Sequence, residues 1–304
     1  MDPYSYTAGQ YSSNVHLNQT THRWLRYTVD FTTAHSTRYE ENNTVRGEYF
    51  RPRTSNDLPL IILIHGLGDR SVIPCKLLAR SLVKRGIACF ILYLVLHSSR
   101  MPSGGLSIFT SEDWVENYRI SVIDVRQVID WVGTRAEINK EQIAVIGISF
   151  GGFISAIAMG IDKRIKAGVL LVTAGNLEKI VWLSKALPKE WGYSRTEAEF
   201  NSRQSRYAKY LDEVAEKGFE NVSPTEKGFL NDPMTFAYYL RKRPILMING
   251  LWDEVIPKQC TLDFWEACDK PAIIWFPSGH ATIWLWYPLI YRKILHLLRS
   301  TFGL

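Results

Sequence analysis

The chain has 304 residues, of which 46% are hydrophobic and 22% charged, and its formal net charge is +6 at pH 7. This length suits one large α/β domain with an insertion or two small domains, and the composition is that of a soluble globular protein. Lys and Arg are spread along the chain, and their one cluster, Arg241-Lys242-Arg243, stands where a helix should end and where cations complement the helix dipole. We therefore expect no nucleic-acid partner.

Cysteine usage and the apolar runs indicate the compartment. Cys260 and Cys268 fall more than two turns apart on one predicted helix, too far to bond, while Cys75 and Cys89 resemble small core residues. The first residues have neither the basic region nor the apolar core of a signal peptide. The longest apolar run, residues 87–96, is far shorter than a membrane span. These features favour a cytoplasmic protein with reduced thiols and argue against a membrane partner.

The first half of the chain predicts strands alternating with helices. Residues 1–20 are polar and are predicted to form a loose N-terminal arm. The fully apolar run 60–64 is typical of a central strand buried on both faces. Two antiparallel strands are predicted before it, and alternating helices and strands after it: strands 24–31 and 44–51, helix 72–85, strand 88–95, a helix from 110 to about 135, strand 142–148, helix 150–159 and strand 165–172.

The second half interrupts this alternation and then resumes it. Residues 176–231 are charged and aromatic, with helical patterns and no buried strand, so we predict a helical cap inserted over the sheet. Residues 1–175 and 232–304 are then the core, a doubly wound, mostly parallel sheet of the α/β class. The elements predicted after the insertion are a short helix from 232, strand 244–249, helix 257–268, strand 272–276 and a final helix over 280–298.

A Gly-x-Ser-x-Gly pentapeptide, residues 147–151, joins the predicted strand 142–148 to the helix that follows. Glycines on both sides of Ser149 permit a very sharp turn, because a side chain at either position would collide with the neighbouring element. The turn holds the serine hydroxyl out at the edge of the sheet, and the helix directs its free N–H groups toward the same point. Ser149 is the candidate nucleophile.

A serine hydroxyl needs a base, and the base needs a carboxylate to orient it. His280 follows strand 272–276 at the edge where ligands bind in open α/β sheets, and Asp253 follows strand 244–249 at the same edge. Glu254, adjacent to Asp253, is the main competitor for the carboxylate role. Ser149, Asp253 and His280 occur in the chain order of hydrolases with a nucleophile elbow.

An oxyanion hole requires two backbone N–H donors. One is expected from Phe150, and the other from Leu67 in His65-Gly66-Leu67-Gly68, which follows the first central strand. His65 has the chemistry of a metal ligand, but no partner stands at ligand spacing. We therefore expect no metal and assign His65 to holding this loop.

The remaining predictions concern substrate contacts. The loop 97–109 follows a strand at the ligand edge, so His97 and Arg100, together with His65, are candidate substrate-binding residues; a solvated loop arginine is the alternative for Arg100. Aromatic residues of the insertion suit either an acyl pocket or packing of the cap.

The last helix carries apolar residues with Lys293 and Arg299, which would suit a membrane interface, but packing on the sheet is favoured because Pro288 would kink a surface helix.

The chain resembles the α/β-hydrolases, and is most similar to the dienelactone-hydrolase and prolyl-oligopeptidase-like esterase branches. The resemblance spans roughly residues 44–300 and implies an acyl transfer without a cofactor. A serine nucleophile departs from the cysteine of dienelactone hydrolases, and the propeller of large oligopeptidases and the His-Gly-Gly-Gly run of hormone-sensitive-lipase-type esterases are missing. The motifs that carry the resemblance are residues 65–68, 147–152, 250–253 with Val255 and Pro257, and 278–280.

The function expected from these features is hydrolysis of small to medium carboxylic esters by a serine nucleophile, with a small-molecule ester as the substrate. A peptidase or amidase that uses the same three residues is one alternative. A hydrolase-fold protein that only binds a ligand or partner is another, and the intact order of the three residues argues against it.

Overall fold

Nine strands form one sheet in the computed structural model, which describes residues 2–9, 11–53, 56–68, 72–105 and 110–304. Apolar residues fill the central strands: all seven residues of Leu58–Ile64 are buried. The strands are β1 (Ser13–Thr20), β2 (Trp24–Thr32), β3 (Thr44–Pro52), β4 (Leu58–Ile64), β5 (Ala88–Tyr93), β6 (Ile138–Ile148), β7 (Ile165–Leu171), β8 (Ile245–Gly250) and β9 (Ala272–Phe276).

The spatial order of the strands is β1-β2-β3-β5-β4-β6-β7-β8-β9. The pairs β1/β2, β2/β3 and β3/β5 are antiparallel, and every pair from β5 to β9 is parallel. The predicted doubly wound, mostly parallel sheet is confirmed. Because the six parallel strands point the same way, the segments that follow β4, β5, β6, β8 and β9 meet at one carboxyl edge.

Helices cover both faces of this sheet. The apolar residues of α1 and α8 pack in one cluster with one face, while those of α2, α3, α5, α6 and α7 pack in a second cluster with the other. The core therefore consists of two apolar layers divided by the sheet. The helices are α1 (Val72–Val83), α2 (Ser111–Gly133), α3 (Phe150–Ile161), α4 (Leu177–Leu183), α5 (Glu197–Lys217), α6 (Pro233–Leu240), α7 (Lys258–Ala267) and α8 (Tyr287–Phe302).

The prediction of a loose arm over residues 1–20 is wrong. Residues 13–20 form β1, which pairs with β2 along its whole length. The preceding residues are anchored as well: Tyr4 is buried, its hydroxyl donates to the Leu230 carbonyl at 2.7 Å, and the Tyr6 hydroxyl donates to Asp130 at 2.7 Å. β1 is an exposed edge strand held by backbone hydrogen bonds, and six of its eight residues are polar.

Residues 176–231 contain α4, α5 and short 3-10 helices and no strand. The α5 helix begins with a capping box, in which Thr196 and Glu199 each bond to the backbone of the other. The buried tyrosines of α5, Tyr207 and Tyr210, pack against Phe229 with ring centroids 4.5 and 5.6 Å away. The helical content agrees with the expected pattern, and that this segment is a separate cap stays a prediction.

The end of the chain differs from the expected single helix over 280–298. A 3-10 helix, Thr282–Trp286, comes first, and α8 begins at Tyr287 with Pro288 in its first turn. Proline there disrupts no hydrogen bond, because first-turn N–H groups have no partner within the helix. Ile290, Ile294 and Leu298 of α8 pack on the sheet.

Three further expectations from the sequence can be compared with the structure. The four cysteines are buried and unbonded. Within the described ranges, no helix has both the length and the apolar character that crossing a bilayer requires. The predicted loop 97–109 includes residues 106–109, which lie outside the described residues.

Candidate active site

The serine at the centre of the Gly-x-Ser-x-Gly motif lies in the turn between β6 and α3. Ser149 has φ 52° and ψ −116°, a backbone conformation that residues other than glycine rarely adopt and that costs about 1–3 kcal/mol. The Ser149 N–H donates to the Leu171 carbonyl of β7 at 2.8 Å, and the N–H of Gly152 donates to the Ser149 carbonyl at 2.8 Å. The turn is thus fixed from both sides, and the strained serine stands at the carboxyl edge.

Close packing explains the glycines around this turn. A Cβ atom on Gly147 would overlap the Gly151 carbonyl, and one on Gly151 would overlap the backbone carbonyls of Ile64 and His65. The overlap with backbone cannot be relieved by moving a flexible side chain. The predicted need for glycine on both sides of the nucleophile therefore follows from how closely β4, β6 and α3 approach.

The structure brings the three predicted catalytic side chains together. His280 Nε2 lies 2.9 Å from Ser149 Oγ, and His280 Nδ1 lies 2.8 Å from Asp253 Oδ2 and 3.0 Å from Oδ1. Because the carboxylate only accepts, Nδ1 carries the proton and Nε2 is left to accept the proton of the serine hydroxyl. The imidazole is thus held in the tautomer that a general base requires.

Backbone donors fix the carboxylate and the histidine loop. Asp253 Oδ1 accepts hydrogen bonds from the N–H groups of Val255 and Ile256 at 2.9 and 2.8 Å. Glu254, the predicted competitor, bonds to the backbone instead: its Oε2 accepts from the His280 N–H at 3.1 Å. Burial opposes its ionisation, but this bond and the nearby imidazole hold the pKa of Glu254 below its usual value. Glu254 thus holds the backbone at His280 and does not contact the ring nitrogens.

The two predicted oxyanion donors both belong to segments that meet at the carboxyl edge. Phe150 is the first residue of α3, so its N–H has no partner within the helix. Leu67 follows β4 at the same edge and its side chain is partly exposed, and Gly68 after it has φ 85°, which favours glycine. These positions fit an oxyanion hole, with the positive end of the α3 dipole adding to it.

His65 and His97, two of the predicted substrate contacts, are buried. His65 Nδ1 donates to the Gly66 carbonyl at 2.8 Å, and its Nε2 accepts from the Leu94 N–H at 3.2 Å. His97 Nδ1 donates to the Val95 carbonyl at 2.7 Å, and the two imidazole centroids are 5.2 Å apart. His65 therefore holds the loop after β4, as expected, and neither ring is open to a substrate.

The predicted role of Arg100 in substrate binding is wrong. Arg100 is completely buried, and its Nη1 donates to Asp124 Oδ2 at 2.7 Å and to the Tyr93 carbonyl at 2.9 Å. Its Nη2 donates to the Asn42 carbonyl at 2.6 Å. The sequence placed Arg100 in a loop at the ligand edge, but a carboxylate on α2, one helix later in the chain, draws it into the interior. It joins the loop after β5 to α2.

Two further residues near the nucleophile escaped the sequence analysis. Thr173 Oγ1 donates to the Ser149 carbonyl at 3.3 Å, and the Tyr118 ring packs edge-on against Phe150 with centroids 5.0 Å apart. Thr173 follows β7 at the catalytic edge, so its position after a buried strand was the available signal. Tyr118 lies in the middle of a long amphipathic helix, where no local pattern distinguishes it.

A cavity of about 70 Å³ lies between α2 and the helical segment 176–231. Tyr118 lines it and connects it to Phe150, and the stacked rings of Tyr207 and Phe229 form part of its wall. Trp182 and Phe200 stack on each other instead, with centroids 4.8 Å apart, so they pack α4 against α5. The aromatic residues of the segment therefore divide between lining a cavity and packing.

Among the residues that the structure describes, no three His, Cys, Asp or Glu side chains are grouped as metal ligands would be. The family model for the α/β-hydrolase fold matches residues 59–265, more than half of the chain. The chain belongs to the α/β-hydrolase fold family. Within this α/β-hydrolase, the match runs from β4 through the nucleophile turn and Asp253 to α7.

Relatives and solved structures agree with this assignment. An uncharacterized protein of Mycobacterium tuberculosis, Rv2627c, is 22% identical over 195 residues; the match covers 62% of this chain and 40% of that protein, so the chain spans well under half the length of this relative. Acetyl xylan esterase from Paenibacillus sp. R4 superposes with a TM-score of 0.70 at 18% identity, covering 96% of this chain and 90% of that chain.

Two other solved structures have the same fold. Acetyl xylan esterase 1 from Thermoanaerobacterium sp. JW/SL YS485 superposes with a TM-score of 0.68 at 18% identity, covering 97% of this chain and 90% of that one. A cold-adapted esterase from an Arctic intertidal metagenomic library gives 0.63 at 16% identity, covering 98% and 99%. At these identities the likeness establishes a common fold for the α/β-hydrolase described above.

Proposed function

We propose that this α/β-hydrolase is a serine carboxylic ester hydrolase that acts on small to medium acyl esters. The observation that carries the proposal is the unbroken chain of hydrogen-bond distances from Asp253 to His280 to Ser149, at 2.8 and 2.9 Å. A nucleophile, a base in the correct tautomer and a carboxylate that orients the base are the parts that acyl transfer by serine requires.

Acylation begins when the Ser149 hydroxyl attacks the ester carbonyl. His280 Nε2 takes the hydroxyl proton as the C–O bond forms, and Asp253 stabilises the imidazolium through the bond to Nδ1. The carbonyl oxygen becomes an oxyanion, which the N–H groups of Phe150 and Leu67 would receive; each such donor is worth about 2.7–4 kcal/mol in the transition state. The imidazolium then protonates the leaving alkoxide, and the acyl group stays on Ser149.

Deacylation repeats these steps with water as the nucleophile. His280 takes a proton from water, the hydroxide adds to the acyl carbonyl, and the second tetrahedral intermediate uses the same oxyanion donors. Collapse releases the carboxylic acid and returns the proton from the imidazolium to the serine oxygen. Apart from the ester and water, every group used in these steps belongs to this chain.

The preference for small to medium acyl groups rests on the cavity beside Tyr118. A space of about 70 Å³ between α2 and the helical segment is next to the residue that packs on Phe150, so we place the acyl side there. Solved structures with this fold include proteins named acetyl xylan esterases, whose acyl group is the smallest in the proposed range. This similarity supports a short acyl chain and leaves the alcohol side open.

The experiment is turnover of p-nitrophenyl esters from acetate to long-chain acyl groups. Activity is expected to be highest at the short end and to be lost in Ser149→Ala. Ser202→Ala, an exposed serine on α5, is the matched control and should keep full activity. Equal rates for the wild-type protein and Ser149→Ala would remove the proposal. Aminoacyl-arylamide cleavage faster than ester cleavage would assign the same residues to a peptidase or amidase instead.

A further inference from the structure

Exposed apolar side chains are concentrated around the catalytic edge and on two helices beside it. Half of the large apolar side chains that are exposed in the described part of the chain lie here. Single exposed apolar residues are normal, but a contiguous group marks an interaction site. The group comprises Leu67, Leu251 and Trp252 at the edge, Ile73 and Leu77 on α1, and Leu285 and Leu289 at the start of the final helical segment.

The two helices are in direct contact on one face of the sheet. The Tyr287 hydroxyl donates to Ser81 Oγ at 2.6 Å, and its oxygen is 3.3 Å from the Leu77 carbonyl. The Tyr291 hydroxyl donates to the Ser81 carbonyl at 3.0 Å. Leu285 and Leu289 lie on the segment that Tyr287 and Tyr291 join to α1, and both of their side chains are exposed to solvent. We call Ile73, Leu77, Leu285 and Leu289 the apolar patch.

The same two helices carry unpaired positive charge. Neither α1, α8 nor the residues just after α1 include a single Asp or Glu. Among the described residues, none of the exposed cations of this face makes an ion pair within 4 Å, whereas Lys76 is paired with Glu48 at 2.9 Å. We call these exposed cations the basic belt: Arg80, Lys84, Arg85, Arg292, Lys293 and Arg299.

Apolar and charged residues are separated along each helix. In α1 the outward residues are Ile73 and Leu77 in the first half and Arg80 at the end, with Lys84 just beyond it. Both helical segments start near the catalytic edge, because α1 follows β4 and the 3-10 helix 282–286 begins two residues after His280. A rise of about 1.5 Å per residue puts Lys84 roughly 16 Å farther from this edge than Ile73. The apolar patch thus adjoins the active site, and the basic belt lies behind it.

We propose that this face binds the surface of an anionic lipid bilayer. The outer face of α1 and α8 lies along the membrane. The apolar patch enters the boundary between headgroups and acyl chains, the basic belt contacts lipid phosphates, and the catalytic edge is at the rim of the contact. Charge and apolar character together select this partner. A second copy of the chain would place its own six unpaired cations opposite the basic belt, and a nucleic acid has no apolar region to contact the exposed leucines. The proposal adds a binding partner to the proposed function and does not depend on catalysis.

The sequence argued against a membrane partner because Pro288 would kink a surface helix. Pro288 lies in the first turn of α8, where it causes no kink. Packing on the sheet uses Ile290, Ile294 and Leu298, and the exposed residues Leu285 and Leu289 belong to another side of the segment. Both interpretations of this helix can therefore hold, each for a different face.

The test is co-sedimentation of Ser149→Ala, which removes turnover, with two kinds of vesicle. Binding is expected to vesicles of phosphatidylcholine mixed with phosphatidylglycerol and to be much weaker with pure phosphatidylcholine. Raising the salt from about 0.1 M to about 1 M shortens the screening length from roughly 10 Å to roughly 3 Å and should release the protein. Failure to bind the anionic vesicles would overturn the proposal. If the protein bound polyglutamate but not these vesicles, the basic belt would instead be a binding surface for an acidic protein.

Paired variants separate the two parts of the face. Arg292→Gln with Lys293→Gln should weaken binding about 25-fold, since each cation near an anionic surface contributes about fivefold. Leu285→Ser with Leu289→Ser should weaken it at least about tenfold. The matched controls are Lys209→Gln with Lys217→Gln on α5, and Val15→Ser with Leu17→Ser on β1, all exposed and distant in the fold. Equal losses in the controls and the test variants would contradict the proposal. Circular dichroism of each variant confirms that it is folded.

Discussion

Replacing Arg100 with methionine is expected to destabilise the fold and to leave substrate binding unchanged. Arg100 and Asp124 are both fully buried and joined at 2.7 Å. Asp124 Oδ1 also accepts from Thr33 Oγ1 at 3.0 Å, so one oxygen of the carboxylate keeps a partner in the variant. The other oxygen, together with the carbonyls of Tyr93 and Asn42, loses its charged donor.

The size of the effect follows from leaving a charge without its partner in the interior. Removing one member of a buried ion pair costs about 3–5 kcal/mol in the free energy of unfolding. With about 2 °C of melting temperature per kcal/mol, the value for large domains, the melting temperature should fall by about 6–10 °C. The double variant Arg100→Met with Asp124→Leu has no uncompensated carboxylate. Its melting temperature should therefore fall less than that of Arg100→Met alone.

Thermal unfolding followed by circular dichroism gives the melting temperatures of the wild type, both single variants and the double variant. Turnover of an uncharged p-nitrophenyl ester and of one with a free carboxylate on its acyl chain is measured below the unfolding range. The KM values of both esters should be unchanged. An unchanged melting temperature in Arg100→Met, with a KM raised only for the carboxylate ester, would refute the structural role and restore Arg100 as a substrate contact.

Three further outcomes are expected. Gly151→Ala should remove activity and lower the melting temperature, because its Cβ would overlap two backbone carbonyls. Burial opposes ionisation of Glu48, but hydrogen bonds from Tyr93 and Lys76 lower its pKa. The ionised Glu48 therefore stabilises the fold above the usual glutamate pKa, and this stabilisation is lost as the pH falls through the lowered pKa of Glu48. Acid unfolding of Lys76→Met should therefore show a shallower pH dependence than the wild type, and an identical profile would count against this. Asp253→Asn should reduce kcat by roughly four orders of magnitude with little change in melting temperature, because the amide favours the wrong tautomer of the base.

The parallel part of the sheet was predictable because its signals are local. Buried strands such as β4 are continuous apolar runs, and each is followed by a helix with its own apolar stripe. The order of Ser149, Asp253 and His280 after three predicted parallel strands placed them at one edge, since parallel strands share that edge. Burial of the central strands on both faces leaves few alternatives for their arrangement.

Edge strand β1 and the position of Arg100 were not predictable in the same way. The β1 sequence Ser13–Thr20 is almost wholly exposed, so backbone pairing with β2 decides its structure and no apolar pattern reveals it. Arg100 and Asp124 are 24 positions apart, and only the tertiary packing of α2 brings the two charges together. A charged residue in a polar loop looks solvated until its partner is known.

The most direct measurement of the catalytic site is labelling with a fluorophosphonate, followed by mass spectrometry of the modified peptide. The reagent traps a serine that a neighbouring base has activated. A single adduct on Ser149 is expected in the wild-type protein, with labelling greatly slowed in His280→Ala. No adduct at all, an adduct on another serine, or the same labelling rate in the histidine variant would contradict the assignment of these residues as a catalytic unit.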